Sequence, residues 1–214
     1  MKQFLLFLML MIGTTVALNA QKKDIRLNFF SNYVFEDHVD SYYSTTSYYS
    51  GTLQAGYQWG LGAEFMVRPG KSIDLKYLQQ NTTAPIEYYD GSVKNRNFDV
   101  GISYLLLGGT NYFPTGGKAE PYLGFGLGAA FINVKNPASG SGSATKFAWN
   151  LKGGTNVWIS PKVGIKLQAE LLSAVQAVGG SLYFGTGGGG AGVSSYSTML
   201  QFALGGGLTF KIGN

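Results

Sequence analysis

The chain contains no cysteine, which excludes disulfides, thiolate metal sites, a cysteine nucleophile and a lipid-modified cysteine. Charge is scarce as well. Asp, Glu, Lys and Arg make up 13% of the residues, against ~25% in an average soluble domain. A water-facing barrel of this length would be short of surface charge, so the deficit points to an exterior that meets lipid. The net charge of +5 is scattered, with no basic cluster longer than Lys22-Lys23, which argues against nucleic acid as a partner. Beyond the N-terminus nothing has helical periodicity, and no apolar run reaches the ~20 residues a transmembrane helix needs.

The N-terminus itself reads as a secretory signal over residues 1–20: Lys2, an apolar run Phe4–Ile12, then Gly13, Thr14 and Thr15, with cleavage expected after Ala20. The remainder, 21–214, shows no shift in composition and is expected to form one domain.

What the chain does have is alternation. In Val163-Gly164-Ile165-Lys166-Leu167-Gln168-Ala169-Glu170-Leu171 every odd position is apolar and every even one is polar or glycine. Ile73–Tyr77 and Phe98–Tyr104 read the same way. Successive side chains of a strand point to opposite faces, so each segment carries one apolar and one polar face. Strand and turn signals give eight runs, at 24–35, 52–67, 72–80, 96–113, 120–134, 146–159, 162–174 and 196–212. Their links alternate in length. Residues 68–71, 114–118 and 160–161 are tight, whereas 36–51, 81–95, 135–145 and 176–195 are long. Short turns on one side and long loops on the other, with an even strand number, are the pattern of an outer-membrane barrel. The expected fold is therefore an all-β, eight-stranded antiparallel up-and-down transmembrane β-barrel.

A soluble eight-stranded barrel has the same alternation turned inside out. The bulk of the apolar face decides between them: Leu53, Tyr57, Trp59, Leu61 and Phe65, then Leu123, Phe125, Leu127 and Phe131, then Leu200 through Ile212. The other face is rich in glycine, as at Gly60, Gly62, Gly124, Gly126, Gly128, Gly205 and Gly207. An eight-stranded interior is only just wide enough for side chains, so glycine suits the crowded inside. Aromatic residues near strand ends (Tyr33, Phe35, Tyr112, Phe113, Trp149, Trp158, Tyr196) are expected to form girdles at the two interfaces. The alternation fails at Leu105-Leu106-Leu107-Gly108-Gly109, where a bulge is expected.

With the apolar face toward lipid, the lumen is expected to hold a polar network of Arg26, Glu64, Asp74, Lys76, Asp99, Lys152, Lys166, Glu170 and Lys211, joined by Asn28, Gln54, Gln58, Asn150, Gln168 and Gln201. Buried charges of both signs are tolerated when paired, so the network reads as a plug, with a conduction path as the alternative. In the first long link, Ser41-Tyr42-Tyr43-Ser44-Thr45-Thr46-Ser47-Tyr48-Tyr49-Ser50 has the Tyr/Ser composition of binding loops. Tyr42, Tyr43, Tyr48 and Tyr49 are its candidate contact residues, though a strand extension with interfacial tyrosines would use the same sequence. Gly187–Gly190 lacks the lysine and helix start of a phosphate cradle and reads as flexible loop.

Glu120-Pro121-Tyr122-Leu123-Gly124-Phe125-Gly126-Leu127-Gly128, Trp149–Val157 and Ile159-Ser160-Pro161-Lys162-Val163-Gly164-Ile165 resemble the small outer-membrane β-barrel domain family, which includes the OmpA-like, OmpX-like and OmpW-like barrels. The resemblance covers about the last half of the chain and implies a location in the cell outer membrane of a Gram-negative envelope. Members include structural barrels, adhesion or host-contact proteins and narrow channels for small or hydrophobic solutes, and no functional residue carries over. The implied partners are outer-membrane lipid, the barrel-assembly machinery during biogenesis, and an extracellular ligand or envelope protein. No cofactor or metal is implied. Some such barrels modify lipid A with His, Ser and an acidic group, and His38 lies beside Asp37, Asp40 and Ser41, with Asp90-Gly91-Ser92 in the next link. No spacing there is diagnostic. The expectation is a non-enzymatic scaffold presenting extracellular loops for surface interaction or envelope integrity. A porin-like channel is the alternative, ahead of a subunit of a larger complex or a lipid A-modifying enzyme.

Overall fold

The computed structural model describes residues 24–44, 47–89, 92–135, 141–175 and 199–213. The signal segment, Tyr196, the fourth long link and its glycine run lie outside the described residues. The elements are β1 (Ile25–Val34), β2 (Asp37–Ser44), β3 (Ser47–Leu53), β4 (Gly56–Arg68), β5 (Lys71–Tyr89), β6 (Val93–Tyr112), β7 (Ala119–Lys135), β8 (Ser141–Trp158), β9 (Val163–Val175) and β10 (Met199–Ile212). β2 prolongs β1 and β3 leads into β4, so the wall is a closed ring of eight antiparallel strands in up-and-down order. Closure is by β1 on β10, in unbroken register from Ile25↔Ile212 to Val34↔Ala203.

The tight turns gather at one end with β1's start and β10's finish, which makes that end the periplasmic one. At Pro69-Gly70 the backbone needs φ of +72°, open to glycine without steric penalty. Gly70's carbonyl then accepts a 2.7 Å bond from the Tyr112 amide, tying this turn to the neighbouring strand end.

At the other end the expected long links are largely strand. β5 and β6 stay paired from Lys71↔Asn111 to Tyr89↔Val93, so most of the link predicted over 81–95 is strand. The first link is a second hairpin, β2 on β3, seated against β5 at Tyr49↔Tyr88. β7 runs on to Lys135, and β8 begins at Ser141. Polar residues in these stretches look like loop in the sequence, but their polarity belongs to one face of a strand standing in water.

The alternation therefore changes meaning part-way up the wall. Nearer the periplasm the outward residues are large and apolar: Leu61, Ile73, Leu75, Leu107, Leu123, Phe125, Leu127, Leu151, Ile165, Leu167, Leu204 and Leu208 are all exposed. Above this belt the outward positions turn polar, with Gln79, Asn81 and Thr83 on β5, Asp99, Gly101 and Ser103 on β6, and Asn133 and Lys135 on β7. The inward positions turn apolar at the same height. Leu78, Phe98, Ile102 and Tyr104 are completely buried, and Val100, Leu106, Ile132, Val134, Leu172 and Met199 join them in the core. The molecule is a lipid-coated barrel with a charged interior below and a water-coated barrel above, whose interior is mainly apolar but also buries Gln80, Lys146, Ser173 and Gln201.

This crossover corrects several sequence expectations. Asp99 is exposed on the outer surface, not in the lumen, because β6 carries its inward parity on Phe98, Val100 and Ile102. No bulge interrupts 105–109, where β6 pairs without a register shift to both neighbours. Leu105 and Leu107 meet lipid there, while Leu106 closes the interior. Leu53 is buried and Gln54 exposed, the reverse of expectation, because the strand breaks at Gln54-Ala55 between β3 and β4. Tyr112, expected in a girdle, is buried inside, whereas Tyr33, Phe35 and Phe113 are outward and exposed.

Phe125 and Asn133 face outward on the same strand, inside and above the lipid belt. Phe125→Arg is expected to lower folding stability in lipid vesicles by about 2–4 kcal/mol, as a cation near the bilayer midplane does. Asn133→Arg should change it by less than about 0.5 kcal/mol, as a surface substitution does. Urea titration of the folded fraction reads both, and equal losses would contradict the height assigned to the belt.

Candidate functional site

The lower lumen is crossed by ion pairs between strands that are not neighbours. Arg26 on β1 donates to Glu120 on β7 through both terminal nitrogens, at 2.7 and 3.1 Å. In the ring order these two strands stand opposite one another. Lys76 on β5 reaches Glu170 on β9, also opposite, at 3.0 and 3.1 Å. Lys166 on β9 donates to Glu64 on β4 at 2.9 Å, and Lys152 on β8 pairs with Asp74 on β5. The four cations and four carboxylates of these pairs balance, and each pair is a bar across the bore.

The remaining oxygens of each carboxylate are also occupied. Glu64 accepts from Asn28 at 2.8 Å and from the Tyr112 hydroxyl, and Asp74 accepts from Thr110 at 2.9 Å. Glu170 accepts from Asn150 and, at 3.1 Å, from Gln168. Gln168 also donates to Asn32, which donates to Gln58 at 3.1 Å. At the periplasmic rim Asn156 and Trp158 donate to Glu120 at 3.1 and 3.3 Å, and the Lys211 ammonium sits 3.8 Å over the Trp158 ring. Aromatic faces cover other cations: Phe30 lies 4.4 Å from Lys76 and Tyr122 4.5 Å from Lys166. Such contacts strengthen when desolvated.

Glycine makes room for these bars. A Cβ on Gly124 would stand 2.6 Å from Lys152 Cε and 2.9 Å from the Thr110 hydroxyl, so any side chain there would push the Lys152–Asp74 pair aside. What stays empty among these groups is a cavity of about 10 Å³, lined by Asn28, Phe30, Glu64, Asp74, Lys76 and Lys152 among others. That is room for about one water molecule. Above it the buried apolar side chains of the upper strands, Leu78, Phe98, Ile102 and Tyr104 among them, face the axis.

Of the nine charged residues predicted to share the lumen, Arg26, Glu64, Asp74, Lys76, Lys152, Lys166 and Glu170 meet there, and Lys211 stands at its rim. Asp99 does not join them. Glu120, Tyr112, Thr110 and Asn156 belong to the network although the sequence does not single them out for it. Their parity was the available signal, since Glu120 shares an inward face with Tyr122 and Gly124, and Thr110 with Tyr112.

No family model matches the chain, and no curated protein matches it in sequence. Solved structures do match in shape. Neisserial surface protein A superposes with a TM-score of 0.60 at 12% identity, over 88% of this chain and 97% of that one. OprG, an outer membrane protein of Pseudomonas aeruginosa, gives 0.57 at 12% identity over 91% and 98%. AlkL, an outer membrane protein solved in DMPC lipid bilayers, gives 0.55 at 11% identity over 91% and 92%. The fold is that of a small outer-membrane β-barrel. At these identities the likeness is one of architecture, and the apolar belt seats this barrel in the outer membrane.

The other candidate groups of the barrel lie in its outer hairpins. The His38 ring meets the Thr52 hydroxyl at 3.1 Å through Nδ1, while the Asp37 carboxylate accepts the Leu200 amide at 2.9 Å. Burial raises the Asp37 pKa above its ordinary value, and the Leu200 bond offsets part of that rise. Tyr42 and Tyr43 lie on β2 and Tyr48 and Tyr49 on β3, with backbone register Tyr42↔Tyr48 and Ser41↔Tyr49. The expected loop is thus a hairpin that raises these residues above the lipid.

Breaking one bar leaves a buried charge without its partner. Lys152→Met is expected to cost about 3–5 kcal/mol of folding stability. Adding Asp74→Leu should recover much of the loss, because the stranded carboxylate goes with it. Urea midpoints in lipid vesicles measure both. A double variant as unstable as the single one would refute the pairing.

Proposed function

We propose that this protein is a non-conducting outer-membrane scaffold that holds long strand hairpins outside the cell as an interaction surface. The observation that carries the reading is the set of ion pairs between opposed strands, Arg26 with Glu120 and Lys76 with Glu170, around a void of about 10 Å³. A hydrated ion would have to displace buried, mutually satisfied charges and then pass an apolar layer. Evolving such a seal makes sense for a rigid support and poorly for a pore.

The surface offered outside consists of β2–β3 and the upper parts of β5 to β8, with Tyr42, Tyr43, Tyr48 and Tyr49 as the proposed contact residues. Tyr supplies broad amphipathic contact at low entropic cost. An extracellular ligand or envelope protein is the partner that suits such a surface, with outer-membrane lipid around the belt and the barrel-assembly machinery acting during biogenesis. The lipid A-modifying alternative would need His38 beside a carboxylate and a nucleophile. Among the described residues the His38 ring's hydrogen bond is to the Thr52 hydroxyl, and the neighbouring Asp37 carboxylate accepts the Leu200 amide.

Purified protein in a planar bilayer at neutral pH is expected to give no steady unit conductance. Replacing Lys76 and Glu170 together by Ala removes one bar and should at most introduce brief, irregular openings, since the apolar layer above remains. Reproducible openings of the unaltered chain would overturn the scaffold reading in favour of a channel.

A further inference from the structure

Just above the lipid belt the outer surface carries a polar concavity of about 600 Å³ across β5, β6 and β7. Register places its residues in three rungs: Gln79–Ser103–Phe131, Asn81–Gly101–Asn133 and Thr83–Asp99–Lys135. The lowest rung ends on exposed Phe131, the last apolar position of β7's belt, so the concavity begins where hydrocarbon stops. Its middle rung is a notch, with two carboxamides flanking a glycine. Across two strand spacings the notch measures about 10 Å.

Hydrogen bonds already set this surface. The Gln79 carbonyl accepts from the Tyr77 hydroxyl at 3.0 Å and from the Ser103 hydroxyl, and its amide donates to Asn81 Oδ1 at 3.2 Å. Thr83 donates to Gln54 at 2.8 Å, extending the ladder toward β4. Carboxamides both donate and accept, as sugar hydroxyls do, and a carboxylate such as Asp99 accepts from hydroxyls only. Among the described residues that line the concavity the cation is Lys135, which faces Asp99 in register, so the charges of this lining balance.

We propose that the Gly101 notch, between Asn81 and Asn133, binds the uncharged sugar headgroup of a glycolipid in the leaflet on which it stands. The chemistry matches hydroxyls, the charge balance disfavours anions, and the height matches a headgroup whose acyl chains run down past Phe131. The inference needs the membrane seating of the barrel but not its sealed lumen, so a conducting barrel would leave it standing.

The test uses the full barrel in nanodiscs of phosphatidylcholine doped with a monohexosyl diacylglycerol or, separately, with phosphatidylglycerol. Native mass spectrometry counts the lipids retained on release. The unaltered barrel should retain the hexolipid over phosphatidylcholine. A Cβ at Gly101 would meet only ordinary contact with Asn81 and Gln79, and tyrosine suits a strand, so Gly101→Tyr is chosen to fill the notch. Gly101→Tyr and, independently, Asn81→Ala with Asn133→Ala should each lower retention about tenfold, the loss of two hydrogen bonds. Heat-modified electrophoretic mobility shows which variants are folded, and either folded variant suffices. Unchanged retention in a folded variant, a preference for phosphatidylglycerol, or equal displacement by free methyl hexoside would overturn the proposal.

Discussion

An eight-stranded ring leaves a bore that side chains must fill, and everything else in this molecule follows from how it is filled. In the lipid-coated half the wall's outward positions are taken by large apolar groups, so polar groups are left for the inside. Charges there survive only in pairs, because an uncompensated buried ion costs several kcal/mol. The pairs that result do not run along the wall. Arg26–Glu120 and Lys76–Glu170 join opposite strands, so they fix the ring's cross-section as well as neutralising its interior. Small residues on the inner face, Gly124 among them, are the space these bars need.

The second half obeys the opposite rule with the same strands. Above the belt water replaces acyl chains, polar groups move outward, and Phe98, Ile102, Tyr104 and Leu78 collect inside. The Tyr104 hydroxyl, 3.2 Å from Gln201, gives this layer a polar tether to the wall. The bore thus passes through two chemistries in succession, a charged layer within the lipid belt and a mainly apolar one above it.

The architecture was legible in the sequence because strand parity is a local property. Alternation in Val163–Leu171 assigns Lys166, Gln168 and Glu170 inward, and the structure has them there. Asp99 shows where that logic stops. The two faces of β6 are plain in Phe98-Asp99-Val100-Gly101, but alternation does not say which medium lies outside, and that depends on height above the belt. Leu53 and Gln54 are misassigned for a different reason, since a break of two residues resets parity and leaves no mark in composition. Long links were overcounted because Asn, Thr and Glu in 81–95 signal loop and water-facing strand alike. Pairing across the bore was the least legible of all: Glu120 stands 94 positions from Arg26 and no local pattern joins them.

The inversion of polarity along the wall also bears on how the barrel reaches its place. Outward charges such as Asp99 and Lys135 end beyond the hydrocarbon, so on the way they traverse it. A lipid-exposed charge at the midplane is unfavourable by as much as ~2–4 kcal/mol, which favours a route that shields the hairpin tips in transit. Once they emerge, the same barrier opposes return. The tips thus act as barbs, and the arrival of β5–β6 outside is a step the protein does not readily reverse.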